Sequence, residues 1–288
     1  MFDSKRRALT ATVTIGLMIP ATAMAATISG TDGNDRLKGT SSADQIDGRA
    51  GNDRIIGRAG DDTIVGGFGN DRVFGGNGDD DIRGAQGNDL LLGGKGADTI
   101  RGDGNDVGDP TSFDRIYGNS GDDKLFGGDS RDRIFGGTGN DESHGENGND
   151  RMAGGKGDDT QFGEGGNDVI FANQGVDTSF GGEGNDTLWA LSRKDVTPGP
   201  NGEVDEVGDT LDGGNGNDRF LTRDGEVDRI TCGEGKDRVF ADEVDVITDA
   251  TEENPNGSCE VVKRGAPKAK DAQSEDAQEA PKEEKVQS

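Results

Sequence analysis

Carboxylates stand on every ninth residue of this chain over two long stretches, each set among glycine and asparagine, and oxygen ligands at that spacing suit the binding of hard cations. In the first run, Gly30 to Arg101, the sixth residue of eight consecutive blocks is Asp35, Asp44, Asp53, Asp62, Asp71, Asp80, Asp89 and Asp98. In the second run, Gly118 to Trp189, it is Asp123, Asp132, Asp141, Asp150, Asp159, Asp168, Asp177 and Asp186. Asp218 and Asp237 continue the pattern in shorter C-terminal copies. A glycine opens each block of the first run, another is usually fourth, and an apolar residue is usually eighth. Gly66-Gly67-Phe68-Gly69-Asn70-Asp71-Arg72-Val73-Phe74 is a complete instance.

The elements that must position these carboxylates follow from the same block. Positions one to six hold Gly, Asn and Asp, which tolerate tight turns and positive φ. Positions seven to nine, as in Arg54-Ile55-Ile56 or Arg133-Ile134-Phe135, carry β-branched and aromatic residues suited to a short strand. Turn and strand alternate, and two blocks complete one coil of an all-β, right-handed parallel β-solenoid. Residues eighteen apart then stack at about 4.8 Å. The eighth residues form a thin apolar ladder, Leu37, Ile55, Val73 and Leu91 on one side and Ile46, Ile64, Ile82 and Ile100 on the other. The same stacking puts Asp35, Asp53, Asp71 and Asp89 in one column and Asp44, Asp62, Asp80 and Asp98 in the opposite one, where they repel. A divalent cation between coils removes the repulsion. Ca²⁺ accepts six to eight oxygens in irregular geometry, whereas Mg²⁺ demands a smaller octahedron and keeps its waters.

Composition agrees. Among 288 residues there are 52 glycines and only 28% hydrophobic residues, too few for a large compact interior, and the formal net charge is −27. Low hydrophobicity with such charge reads as disorder in an aperiodic chain, but the period argues for an ordered repeat. The charge excludes a nucleic-acid partner, which requires basic surface, and points to cations.

The block fits G-G-x-G-x-D-x-U-x, and on it the chain resembles the hemolysin-type, RTX calcium-binding repeat proteins over about residues 30 to 240. The resemblance implies a parallel β-roll in which the position-six aspartates and loop carbonyls hold Ca²⁺ between coils. One ion between each repeat and the one eighteen residues on gives about twelve ions in the two runs, carrying roughly +24. It implies a chain largely disordered without calcium and folded at millimolar calcium.

The N-terminus reads as a separate object. Lys5, Arg6 and Arg7 precede the apolar stretch Ala8 to Ile19, which is too short to span a bilayer, and Ala23-Met24-Ala25 is an A-x-A cleavage site. Residues 1–25 are expected to be a bacterial-type signal peptide, by a Sec or a twin-arginine route, giving a secreted or cell-surface protein with no membrane span in the mature chain. Many RTX proteins leave through a type I system without such a signal, so the route differs. In an exported chain the pair Cys232 and Cys259 is most simply one disulfide. Two cysteines and the single histidine cannot complete a usual tetrahedral metal shell.

The expected domains are the signal peptide, a roll over 26–249 with irregular loops at 102–117 and 190–212, a disulfide-pinned cap over 250–265, and a disordered tail over 266–288. The cap carries Cys259-Glu260-Val261-Val262 and is pinned to Cys232-Gly233-Glu234-Gly235-Lys236-Asp237 at the end of the roll. In the first loop, Asp103 to Asp114 half resembles an EF-hand loop, but Val107 and the lack of flanking helices argue against it. Arg101-Gly102-Asp103 is an adhesion tripeptide that a chain rich in Gly-Asp pairs produces by chance.

Position eight is polar at Ser143, Gln161 and Ser179, with His144, Phe162 and Phe180 following and Phe126 one coil earlier. Either this face slips by one residue and turns its aromatics inward, or the rings form an outer strip that binds glycan or another copy. Continuity of the apolar ladder favours the slip.

Catalysis has little to work with. His144 is the only histidine, neither H-E-x-x-H nor G-x-S-x-G occurs, and the repeats leave no stretch for a catalytic domain. The reading is a non-enzymatic extracellular calcium-binding protein, structural or adhesive, with cell-surface or matrix polysaccharide as a candidate partner. The alternative is a carbohydrate-active enzyme, needing two carboxylates across a cleft, or a polysaccharide-binding accessory module. Ice binding wants a threonine array, and Thr31 and Thr40 start none.

Overall fold

The computed structural model describes residues 24–103, 112–190, 208–251, 254 and 256–266. Apart from Met24, Ala25 and Ala266, the expected leader and tail lie outside the described residues, as do 104–111 and 191–207 within the two interruptions.

Alternate strands go to opposite sheets, as a two-block coil requires. The first sheet starts with Thr27–Ser29, Gln45–Asp47 and Thr63–Phe68 and ends at Val246–Ile247; the second starts with Arg36–Lys38, Arg54–Ala59 and Arg72–Asn77 and ends at Val261–Arg264. Every pairing between the strands is parallel, with partners eighteen apart in the regular runs, such as Ile55 with Val73 and Ile64 with Ile82. The protein is a parallel β-solenoid of about eleven coils. Between strands the backbone turns on glycines with positive φ: Gly67 at 110° and Gly69 at 119° hold a conformation that costs any L side chain energy.

The interior is single file. Ile55, Ile64, Val73, Ile82, Leu91, Ile100, Ile116, Leu125 and Ile134 are fully buried. A second apolar cluster follows from Leu188 through Leu211, Phe220, Ile230 and Val239. Near their junction the expected slip does not occur. Ser143, Gln161 and Ser179 keep the inward position and are buried, while the rings of Phe126, His144, Phe162 and Phe180 stack on the outer face with centroids 4.7–5.0 Å apart. Register is the reason. Ser143 pairs with Gln161 and His144 with Phe162 in an unbroken ladder, and a one-residue shift would reverse every side chain of the strand. Ser179 Oγ instead donates to Gln161 Oε1 at 3.2 Å, partly satisfying the polar rungs.

The sheets cross both interruptions. Leu91 pairs with Ile116 and Ile100 with Leu125, then Thr178 with Thr210 and Leu188 with Phe220. The breaks are therefore narrower than 102–117 and 190–212, since strands run over Arg115–Ser120 and Thr210–Gly216. At the far end Cys232 and Cys259 form a disulfide with both residues buried, and Val261–Arg264 pairs with Arg238–Ala241. The segment expected as a cap thus contributes a strand of its own.

Candidate metal centres

The turns bring the position-six aspartates into two continuous ladders. Each aspartate accepts, on Oδ1, the backbone amide of the aspartate one coil before: Asp53 N to Asp71 and Asp71 N to Asp89 at 2.7 Å, Asp62 N to Asp80 and Asp80 N to Asp98 at 2.8 Å. Asp44 and every later ladder aspartate is buried. From Asp53 to Asp237, Oδ2 of each expected ligand is buried with no hydrogen-bond partner. Only the N-terminal pair differs. Asp35 Oδ2 accepts Thr31 N and Asp44 Oδ2 accepts Thr40 N, both at 2.5 Å, so threonines occupy the oxygens that the later coils leave open.

The glycine opening each block shapes the space beside that oxygen. A Cβ on Gly66 would lie 2.5 Å from Asp71 Oδ2 and 2.7 Å from the carbonyl oxygen of Gly84; on Gly145, 2.6 Å from Asp150 Oδ2 and 2.7 Å from Gly163 O. The absent side chain leaves a cradle lined by a carboxylate of one coil and a carbonyl of the next. Such oxygens are the ligands a hard cation takes.

Without a cation these carboxylates are poorly placed. Burial pushes Asp62 up to about 6, Asp80 to about 7 and Asp89 to about 8, against the pull of the amide each accepts, and neighbouring carboxylates add to the rise. At Asp114 burial and then the charge of Asp89 raise the group to about 9.

Some ladder members escaped sequence reasoning. Asp114, noted only as the end of an EF-hand-like loop, accepts Asp89 N and joins the ladder; Asp209 accepts Asp177 N, Asp228 accepts Asp209 N, and Glu260 Oε2 accepts Asp237 N at 2.6 Å in place of an aspartate. The signal was present for Asp114, which stands eighteen before Asp132, and for Asp209, nine before Asp218, whereas Asp228 is displaced by one residue, nineteen after Asp209. Asp103 accepts Ser112 Oγ and Asp129 N, and Arg101 pairs with Asp81 and lies over the Phe126 ring. Arg101-Gly102-Asp103 is thus tied into the roll.

An apolar single-file core flanked by two buried carboxylate ladders, each with open oxygens beside glycine cradles, defines a cation-binding parallel β-roll. The family model of the RTX calcium-binding nonapeptide repeat matches residues 29–64, 56–91, 83–107, 111–142, 144–178, 157–188 and 208–226, more than half of the chain. The chain belongs to this family and is a calcium-binding repeat protein. No curated protein matches it.

Proposed function

We propose that the chain is an exported scaffold whose roll is completed by calcium held between coils, with the aspartates from Asp53 to Asp98, Asp123 to Asp186, Asp218 and Asp237 as carboxylate ligands. Asp35 and Asp44 belong to the same set, with threonine amides sharing their oxygens. The observation that carries this reading is the column of buried, unpartnered Oδ2 atoms. Bound calcium supplies the positive charge these oxygens lack. The chain's own residues do the rest: opening glycines leave the cradle, turn amides fix Oδ1, and strands hold the coil spacing. Because the ladders run through both interruptions, the sites outnumber the about twelve that two separate runs provide.

The role is structural or adhesive, not catalytic. His144 is held by Glu164 at 2.8 Å and Glu142 at 3.1 Å and stacked between Phe126 and Phe162, which leaves neither ring nitrogen to a substrate. Family members are typically secreted, and the leader over 1–25 gives this chain its route. Sequencing the N-terminus of protein recovered from culture medium tests this: Ala26 first supports it, and an intact Met1 on intracellular protein contradicts it. Incubation with a protease separates the folding claim, with 26–266 resistant in calcium and degraded in chelator.

The outer strip favours polysaccharide as partner. The rings of Phe126, Phe162 and Phe180, stacked face to face with His144 among them, turn their edges outward as an aromatic ridge against which sugar rings can pack. Retention on cell-wall or matrix glycan in calcium, lost in Phe162→Ala and Phe180→Ala proteins that still fold, is the expected result. Equal retention of the variants would remove the strip from the account.

A further inference from the structure

Where the last matched repeat ends the chain builds a different kind of acidic site. Asp224, Glu226 and Asp228 lie in the turn between strands Arg219–Thr222 and Arg229–Thr231, and one ligand oxygen from each falls within 4.8 Å of the others. Gly225, with φ of 110°, makes the bend that folds Asp224 back. The corresponding turn one coil on, between Arg238–Ala241 and Val246–Ile247, adds Asp242 and Asp245. All five are more than nine-tenths buried, from 0% exposure at Asp228 to 6% at Asp224.

Hydrogen bonds account for one oxygen each of Asp224, Asp228 and Asp242 and for both oxygens of Asp245. Asp224 Oδ1 accepts Glu226 N, Asp228 Oδ1 accepts Asp209 N, and Asp242 Oδ1 accepts Val244 N. Asp245 uses Oδ2 for Thr222 Oγ1 and Asp242 N, and Oδ1 for Asp228 N. Oδ2 of Asp224, of Asp228 and of Asp242 is buried without a partner. No lysine or arginine is paired with Asp224, Asp228, Asp242 or Asp245 among the described residues. Arg264, the nearby cation, donates to the carbonyls of Asp242 and Asp245 instead. Burial, then mutual repulsion, raises Asp224 to about 8 and drives Asp228 well above the usual range. Either protons or a cation must relieve this cluster. Oxygens bound to one Ca²⁺ at about 2.4 Å lie no more than about 4.8 Å apart, which the three grouped ligands satisfy.

We propose that Asp224, Glu226 and the ladder aspartate Asp228 form a calcium site distinct from the glycine-cradle sites, with Asp242 adding negative charge from the turn one coil on, and that it pins the terminal coils together. It differs from the ladder sites in chemistry. Ladder sites combine aspartates with glycine carbonyls, whereas this one gathers side-chain carboxylates, and greater ligand charge strengthens calcium binding. It rests on the ladder reading only in taking calcium as the ion.

Equilibrium dialysis of the full chain against calcium, with hydrogen exchange as a local readout, tests the site. Asp224→Asn with Glu226→Gln keeps an acceptor for the Glu226 amide and leaves the ladder aspartates in place. The expected result is loss of about one ion, a weakening of the tightest class of sites by roughly tenfold or more, and loss of calcium protection over 229–247 but not over 54–101. Asp242→Asn, which also keeps its turn acceptor, should reproduce the weakening. Unchanged ion number and affinity in both variants would overturn the proposal and leave a cluster neutralised by protons. Asp80→Asn separates the two readings: calcium binding indifferent to this change contradicts the ladder, whatever the terminal variants do.

Discussion

The backbone amide of Asp89 donates to Oδ1 of Asp114 at 2.7 Å although 25 residues separate them, seven more than the eighteen of a regular coil. The first interruption is an insertion within one coil, and the ladder closes beneath it. Removing seven residues from 104–111 restores the regular spacing, so calcium-dependent folding should survive. Asp114→Ala, by contrast, removes a buried acceptor and should cost about 1–3 kcal/mol in calcium. Denaturation in calcium of the deletion and of the point variant checks both; a deletion more damaging than Asp114→Ala would contradict the continuous ladder.

How much of this was legible follows from how regular the period is. Fold, strand faces and eighteen ladder aspartates read directly from nine-residue spacing, because each block repeats one local geometry. Asp228 did not, since a one-residue excess takes it out of the period, and Asp209 was passed over at the edge of the second interruption, thirty-two residues after Asp177. Phe162 and Phe180 were misjudged for another reason: apolar periodicity suggested a slip, while register is held by backbone pairing and by the aspartate corners. Asp242 belongs to no repeat, and its charge bears on Asp224 only because the fold sets one turn above the other.

Acid should stabilise the calcium-free roll. The ladder aspartates are raised in the folded chain, Asp62 to about 6 and Asp123 to about 8, chiefly by burial. The folded state then holds more protons than the unfolded one, so stability is fully present below about pH 4 and is lost as pH rises through about 6 to 8. In chelator, strand content should be greater at pH 4.5 than at pH 8. Calcium should reverse the order, because its ligands must be deprotonated. Strand content in chelator that rises with pH would contradict the burial of these carboxylates.

Ser143 Oγ is buried with no partner at an inward position of the core. Ser143→Val places there the kind of apolar side chain that Val73 supplies in another coil and should add about 1 kcal/mol, seen as a higher denaturation midpoint in calcium. A loss of stability would indicate that the polar rung is needed.

The disulfide closes 27 residues of the terminal coils. Replacing Cys232 and Cys259 together by serine should cost about 3 kcal/mol, concentrated in residues 229–264, because solenoid coils contact mainly their neighbours. Hydrogen exchange resolves this: opening spread evenly from 54 to 264 would argue against a local pin.

Circular dichroism of the full chain during a calcium titration at pH 8 tests the central claim most directly. Little strand signal in excess chelator, rising cooperatively to that of a formed roll at millimolar calcium, is the predicted result. An undiminished strand signal in chelator would contradict an account in which the open oxygens from Asp53 to Asp237 need calcium to fold.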